Sequence, residues 1–167
     1  AEGSDLPDGL DFLAAYPNLL VSRTFSKAYG LAALRVGYGL STPVVADVLN
    51  RVRQPFNVNS LALAAACAAL QDADYLAESR RLNEAGMQQL QDGFLELGLG
   101  WIPSRGNFVA VDLGQVAAPV YQGLLREGVI VRPVANYGMP NHLRITIGLP
   151  AENTRLLEAL AKVLARG

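Results

Sequence analysis

The chain has 167 residues, of which 51% are hydrophobic and 17% are charged, and its formal net charge is −1. This composition excludes a disordered chain and predicts a folded domain, or one and a half, with a sizeable core. The balanced charge offers no basic surface, so neither nucleic acid nor an anionic membrane is expected as a partner.

The first part of the chain predicts two short strands followed by two helices. The opening residues, AEGSDLPDGLDF, are acidic, the reverse of a signal peptide's basic and apolar order, so we expect a cytoplasmic protein. Short buried strands are predicted over residues 18–23 and 35–40. Thr42, which precedes a proline, predicts the start of a helix, and Asn59 predicts the start of a second.

The second of these helices is rich in alanine. Its apolar run, residues 61–70, is shorter than the roughly 20 residues that cross a bilayer, so we predict a helix buried within a soluble domain. The single cysteine of the chain, Cys67, lies in this run and is expected to pack as a small apolar side chain.

A change of pattern after Gln71 predicts a domain boundary. Residues 1–71 are predicted to be the end of an α/β domain, and residues 72–167 to be a compact α+β domain that begins with a long connecting helix. Within the second part, strands are predicted over residues 107–113, 129–134 and 142–148, and helices over residues 119–127 and 152–165.

Lys27 is one of only two lysines, with Lys162, while the other 12 basic residues are arginine. The chain therefore uses arginine almost wherever a positive charge is sufficient. A lysine kept in an apolar segment beside glycine is a candidate for chemistry that arginine cannot perform, because only an amine that loses its proton forms an imine.

The segment around Lys27 also supplies two hydroxyls, at Thr24 and Ser26, and a guanidinium, at Arg35. A cofactor with a reactive aldehyde and a phosphate needs this combination: an amine for the aldehyde, and hydroxyl and arginine donors for the phosphate. Once the substrate replaces the amine on the cofactor, the freed amine can act as a general base and acid.

Other interpretations of this segment stay open. Each residue by itself fits an ordinary surface turn, with Arg35 in a structural ion pair. A Ser–Lys hydrolase pair at Ser26 and Lys27 is conceivable, although the chain has neither a Gly-X-Ser-X-Gly elbow nor a separate histidine to orient a base. It also lacks the glycine motifs that bind dinucleotides or nucleoside triphosphates.

The segment resembles the lysine motif of the histidinol-phosphate aminotransferases, which belong to the fold-type I enzymes dependent on pyridoxal 5'-phosphate. The resemblance rests on four runs in the family's order: SRTFSKAYGLA at 22–32, LRVGY at 34–38, PFNVNS at 55–60 and LRITIG at 143–148. It implies that Lys27 binds the cofactor covalently and is catalytic. It also implies that Thr24, Ser26 and Arg35 bind the cofactor phosphate.

Two further arginines are implied to bind substrate. Arg144, in LRITIG, matches the arginine that holds the anionic group of the substrate, and Arg132, in VIVRP, matches a second one used with phosphorylated substrates. The alternation around Arg144 independently predicts a strand with its aliphatic side chains buried and Arg144 on the other face. A purely structural role, paired to a carboxylate, stays open for both.

The sequence departs from the family's pattern in one substitution and in its length. Phe56 stands where a tyrosine is frequent, so a hydroxyl contact is lost there. The family's enzymes are also longer, and the aspartate that pairs with the pyridine nitrogen and the aromatic residue that stacks on the ring are not identifiable here. We expect the chain to begin just after that aspartate, and to be inactive without it.

The resemblance thus implies the end of the large cofactor-binding domain, over residues 1–71, followed by the small C-terminal domain. The implied activity transfers an amino group between histidinol phosphate and 2-oxoglutarate in histidine biosynthesis, in a homodimer and without a metal. A related aromatic aminotransferase or phospho-amino-acid decarboxylase is the alternative within the enzyme class. A non-catalytic interaction module is the alternative of another class.

Overall fold

The structure is a computed structural model that describes residues 7–166, and it divides the chain into two compact units. The division lies between Ala77 and Glu78, a few residues after the boundary expected at Gln71. It falls inside helix α3, Ala73–Glu96, whose first turn belongs to the first unit. The assignment of residues 1–71 and 72–167 to a large and a small domain stays a prediction.

The first unit is built on an antiparallel pair of strands, β1 (Leu20–Thr24) and β2 (Gly37–Ser41). Leu20 lies opposite Ser41, and Thr24 lies opposite Gly37. A Cβ at Gly37 would lie 2.6 Å from the carbonyl oxygen of Arg23, so only glycine allows the two backbones to approach this closely. Both strands begin two residues later than predicted because the turns before them occupy the first positions.

Two helices follow the strands, as the sequence predicted. Helix α1 spans Pro43–Val52 after Thr42, and helix α2 spans Ser60–Gln71 after Asn59. The Oδ1 atom of Asn59 accepts a hydrogen bond of 2.8 Å from the backbone N–H of Ala62, so it satisfies one of the free donors of the helix N-terminus.

Helix α2 is not the buried helix that its composition suggested. Only Ala62 and Ala66 are buried, against Phe25 and Val36, while Leu61 is 76% exposed. Cys67 is exposed as well, which corrects the expectation that it packs inside. The reason is that one stripe of the helix, at i and i+4, meets the small core of this unit, and the other faces have no covering element among the described residues.

The second unit is a four-stranded antiparallel sheet with three helices. The strands are β3 (Gly100–Ile102), β4 (Phe108–Asp112), β5 (Arg132–Pro133) and β6 (His142–Thr146), in the spatial order β3-β4-β6-β5. The helices are α3, α4 (Ala117–Arg126) and α5 (Pro150–Leu164). None of these helices, and no other in the described part of the chain, is long and apolar enough to cross a membrane.

Two strands differ from the prediction. β3 was not predicted, because its three residues, Gly100–Ile102, are too few to show an alternating pattern. The strand predicted over residues 129–134 is reduced to β5. The N–H of Val129 donates to the carbonyl oxygen of Leu124, so the chain there still closes the end of helix α4.

The core of the second unit lies on one face of the sheet. Val109, Val111, Leu143 and Ile145 point into it and are 0–2% exposed. They pack against buried side chains of the helices and neighbouring turns: Met87, Leu90, Phe94, Leu124, Leu156 and Leu160. The other face of the sheet carries Phe108, Ala110, Arg144 and Thr146, and we refer to it as the open face.

Candidate active site

The loop that carries Lys27 is held by its own backbone and by one buried aromatic side chain. Phe25 is 3% exposed and lies against Tyr29 and Tyr38, with ring centroids 4.9 and 5.7 Å away. The N–H of Leu31 donates to the carbonyl oxygen of Phe25 at 2.9 Å, which closes the loop at its base. Lys27 is therefore presented by a short, internally bonded loop.

Gly30 makes this loop possible. Its φ is +69°, a conformation that side chains with a Cβ rarely adopt, and its N–H donates to the carbonyl oxygen of Lys27 at 2.9 Å. A Cβ at this position would lie 2.7 Å from the hydroxyl oxygen of Tyr75. Both the backbone conformation and the space demand glycine here.

Lys27 itself is exposed, and it makes no ion pair or side-chain hydrogen bond with any residue that the structure describes. Lys162, by contrast, donates to the Oε2 atom of Glu127 at 2.6 Å. The two lysines of the chain thus differ in their surroundings. One has its ammonium group engaged by a carboxylate, and the other is available for chemistry.

Thr24, Ser26 and Arg35 form a cluster of hydrogen-bond donors next to Lys27 in the chain. The Oγ1 atom of Thr24 accepts the backbone N–H of Ser26 at 3.0 Å, and the Oγ atom of Ser26 accepts an Arg35 Nη1–H at 3.3 Å. Because each hydroxyl oxygen already accepts, its own proton is left to donate outwards. The cluster therefore offers protons to an incoming anion.

Arg35 has a left-handed backbone, with φ +52° and ψ +49°. This conformation costs about 1–2 kcal/mol for a residue with a Cβ and is frequent at functional sites. Nη1 also donates to the carbonyl oxygen of Ala32 at 2.8 Å, which helps to hold the side chain against its own turn. No carboxylate lies within ion-pair distance among residues 7–166, so the charge of Arg35 is not neutralised.

These observations fit the cofactor that the resemblance implies. A phosphate monoester needs several donors and a positive charge, and the cluster of Thr24, Ser26 and Arg35 supplies both without a competing carboxylate. An aldehyde needs an amine that is not engaged elsewhere, and Lys27 meets that need. The structural ion pair considered for Arg35 is not observed within the described residues.

The second pair of predicted residues lies on the open face of the sheet in the second unit. Arg144 is on β6, and the aliphatic residues on either side of it, Leu143 and Ile145, are 0% and 2% exposed, as the alternation predicted. Arg132 on the edge strand β5 lies directly opposite Arg144. Neither arginine has a carboxylate partner in the described part of the chain.

The sequence analysis missed a third member of this group, Phe108. The guanidinium carbon of Arg144 lies 5.0 Å from the centroid of the Phe108 ring, within the range of a cation–π interaction. Phe108 faces Thr146 across the β4–β6 pair, so it reaches Arg144 diagonally. The alternation of Phe108 with Val109 could have placed Phe108 on the face opposite the core. It could not have identified Arg144 as the residue that Phe108 contacts, because that contact depends on the register between β4 and β6.

Residues 1–160 of the chain match the family described as aminotransferase class I and II. Histidinol-phosphate aminotransferase 2 of Pseudomonas fluorescens (strain Pf0-1) is 89% identical over all of this chain and 45% of its own length. The protein of the same name from Pseudomonas aeruginosa is 78% identical over 99% of this chain and 45% of its own. The chain thus spans about half the length of these curated relatives.

Solved structures of related enzymes resemble most of the chain. Histidinol-phosphate aminotransferase from Sinorhizobium meliloti, in complex with pyridoxal-5'-phosphate, is 38% identical with a TM-score of 0.81, over 90% of this chain and 42% of that one. L-threonine-O-3-phosphate decarboxylase from Porphyromonas gingivalis is 25% identical with a TM-score of 0.79, over 93% of this chain and 49% of that one. Both likenesses span the two units.

Proposed function

This chain belongs to the class I and II aminotransferases, and on that premise we propose that it carries the cofactor lysine, the phosphate-binding residues and the substrate arginines of a histidinol-phosphate aminotransferase. The reaction is the transfer of an amino group between histidinol phosphate and 2-oxoglutarate. The observation that carries the proposal is the donor cluster of Thr24, Ser26 and Arg35 beside Lys27, a lysine without a carboxylate partner among residues 7–166.

The cofactor side of the proposal assigns a role to each of these residues. Pyridoxal 5'-phosphate, when bound, supplies a ring that withdraws electrons from the substrate carbon next to the amino group. Thr24, Ser26 and Arg35 hold its phosphate and so place its aldehyde within reach of Lys27. Once the substrate amine has replaced it on the cofactor, the Nζ atom of Lys27 would take the proton from the substrate carbon and deliver it to the carbon that was the cofactor's aldehyde.

The substrate side rests on Arg144 and Arg132. Both substrates are anions, one a phosphate monoester and the other a dicarboxylate, and paired guanidinium groups suit either because each presents parallel donors to two oxygens. Their shared face and their lack of carboxylate partners support this role. A structural ion pair, the other interpretation of each arginine, has no support among the described residues.

Two further parts of the proposal concern the assembly. A homodimer in the cytoplasm is the state that fits a soluble biosynthetic enzyme of this family, and the exposed apolar side chains of α1 and α2 support an association of some kind. The isolated chain is proposed to be inactive. No carboxylate among residues 7–166 is assigned to the pyridine nitrogen, and without one the ring would withdraw electrons less strongly.

The related activity with a specific observation in its favour is phospho-amino-acid decarboxylation, given the likeness to the Porphyromonas gingivalis enzyme. Assays on a polypeptide extended to the length of these relatives distinguish amino transfer from decarboxylation. Amino transfer from histidinol phosphate, faster than from phenylalanine and without release of carbon dioxide from phosphothreonine, is the expected result. Preference for phenylalanine, or decarboxylation, would reject the proposed substrate.

The non-catalytic alternative is tested on the same polypeptide with Lys27→Arg. This variant keeps the positive charge at position 27 but replaces the amine, which can lose its proton, by a guanidinium, which does not. If the protein is an enzyme, Lys27→Arg should abolish amino transfer and leave the fold unchanged. An interaction module shows no amino transfer in either form.

A further inference from the structure

Arg144 contacts an aromatic ring, and no acidic residue in the part of the chain that the structure describes pairs with it. Its guanidinium carbon lies 5.0 Å from the centroid of the Phe108 ring. A carboxylate partner would have neutralised the charge and occupied the donors of Arg144. A ring attracts the flat face of the guanidinium and leaves the N–H groups at its edge free to donate.

The strand register makes this contact possible. Arg144 lies directly opposite Ala110 on β4, and Phe108 is two residues before Ala110 on the same face. Because the side chain of Ala110 is only a methyl group, the Arg144 side chain has room to extend across it to the Phe108 ring. Diagonal neighbours of this kind are within reach of long and aromatic side chains.

The backbone that carries Phe108 is fixed on both sides. The N–H of Ile147, at the end of β6, donates to the carbonyl oxygen of Asn107 at 3.0 Å. The amide of Asn83 on helix α3 donates to the carbonyl oxygen of Gly106 at 3.1 Å. The next residue, Val109, is fully buried in the core. A ring on such a support restricts the side chain that packs on it.

Phe108 is not needed for the core. It is 39% exposed and lies on the open face, outside the set of buried side chains that fills the other side of the sheet. The repulsion between Arg144 and the opposite Arg132 would push a free Arg144 side chain away from the shared face. The ring opposes that displacement.

We propose that Phe108 is a positioning residue for anion recognition: its ring holds the guanidinium of Arg144 flat, close to Arg132, with the edge donors of both arginines available to one phosphate or carboxylate group. The inference rests on the proposed function, because it presumes that Arg144 binds the anionic group of a substrate. It adds a residue that never touches the anion and acts through Arg144.

The test is the affinity of the open face for inorganic phosphate, read from the backbone amide signals of β6 in an NMR titration, for wild type and for Phe108→Leu, Phe108→Tyr and Arg144→Ala. Signals from this strand separate the site from the phosphate-binding cluster of Thr24, Ser26 and Arg35. A cation–π contact at an exposed site is worth about 0.5–1 kcal/mol, so Phe108→Leu should weaken binding about 2- to 5-fold. Phe108→Tyr, which keeps the aromatic face, should bind as wild type does. Leu95→Ala removes an exposed apolar side chain from helix α3, which packs on the other face of the sheet, and should change nothing.

A double variant separates positioning from a general structural effect. In the Arg144→Ala background, Phe108→Leu should cause no further loss, because the group it positions is gone. Wild-type affinity in Phe108→Leu, with weaker binding in Arg144→Ala, would overturn the role of Phe108 and leave the anion site intact. Wild-type affinity in Arg144→Ala would overturn the anion site itself. If the leucine variant does not fold, Phe108→Met gives the same comparison.

Discussion

Arg132 lies directly opposite Arg144 in the antiparallel pair of β5 and β6, so two like charges face each other on one side of the sheet. No carboxylate of the described chain lies within ion-pair distance of either. Directly opposed like charges destabilise a strand pair. This arrangement is what we expect of a face that binds an anionic ligand, because the ligand supplies the negative charge that the two arginines lack.

Removing one of these charges should stabilise the free chain and weaken anion binding. We expect Arg132→Gln to raise the free energy of unfolding in urea by about 0.2–1 kcal/mol at low salt, because the cross-strand repulsion disappears. The gain should shrink at about 1 M salt, where charges are screened within roughly 3 Å. Arg105→Gln, at an exposed arginine without an ion pair among the described residues, is the control. A loss of stability in Arg132→Gln at low salt would contradict the account.

Replacing Gly30, the glycine of the Lys27 loop, should destabilise the protein. Gly30→Ala combines a left-handed backbone with a Cβ only 2.7 Å from the Tyr75 hydroxyl. Gly138→Ala is the control, since its φ is +77° but nothing lies within 4 Å of its Cβ. The control should lose about 1–2 kcal/mol from the conformation alone, and Gly30→Ala should lose more.

Hydrogen exchange gives the local readout for this comparison. The amide of Leu31, which donates to the carbonyl oxygen of Phe25, should lose protection in Gly30→Ala. The same amide in Gly138→Ala should stay as protected as in wild type. Equal protection of the Leu31 amide in all three proteins would show that the Tyr75 contact does not shape the loop.

Glu127 should make stability depend on pH in acid. The Lys162 ammonium donates a hydrogen bond to this carboxylate, Arg166 adds another at 2.9 Å, and together they hold the pKa of Glu127 below its ordinary value. Because the pKa is depressed on folding, the contribution is complete above the ordinary carboxyl value and disappears as the pH falls through the folded pKa.

The measurement is urea unfolding as a function of pH for wild type and Glu127→Gln. The variant should be the less stable protein at neutral pH, and the two curves should converge in acid. Glu158→Gln, on the same helix as Lys162 but without an ion pair among the described residues, should run parallel to wild type. If the difference in unfolding free energy between wild type and Glu127→Gln grew as the pH fell, the lowered pKa of Glu127 would be contradicted.

The exposed apolar side chains of the first unit should drive self-association. Val44 and Leu61 are 74% and 76% exposed, and Phe56 is 97% exposed with a φ of +56°. We expect the average mass from sedimentation equilibrium to rise with concentration, and Val44→Glu with Leu61→Glu to lower it. Val116→Glu, at a 59% exposed valine of the second unit, is the control and should have little effect. A wild-type chain that stays monomeric throughout would contradict this expectation.

Local signals predicted much of the fold. The sequence predicted a helix start at Asn59, whose side chain accepts a free N–H group of helix α2. It predicted another after Thr42, because Pro43 suits the first turn of a helix. The alternation around Arg144 predicted which face each residue of β6 takes. The same segment-level evidence brought Thr24, Ser26, Lys27 and Arg35 into one loop and strand unit, although their roles stay predictions.

Other features depend on what surrounds a segment. Burial of α2 could not be predicted, since an alanine-rich helix has no distinct apolar stripe and the covering element decides its exposure. The short β5 depends on the turn after helix α4, where the N–H of Val129 donates back to Leu124. The contact of Phe108 with Arg144 depends on the register of β4 and β6. Register is a property of two strands, and neither strand encodes it alone.

The central claim is that Lys27 is the lysine that binds the cofactor, and one measurement tests it most directly. The chain is incubated with pyridoxal 5'-phosphate, the bond to any amine is reduced with borohydride, and the labelled peptide is mapped by mass spectrometry. We predict one dominant label on Lys27, absent in Lys27→Arg, with Lys162 unlabelled because Glu127 engages it. Equal labelling of Lys162 or of the N-terminal amine, or labelling unchanged in Lys27→Arg, would contradict the claim.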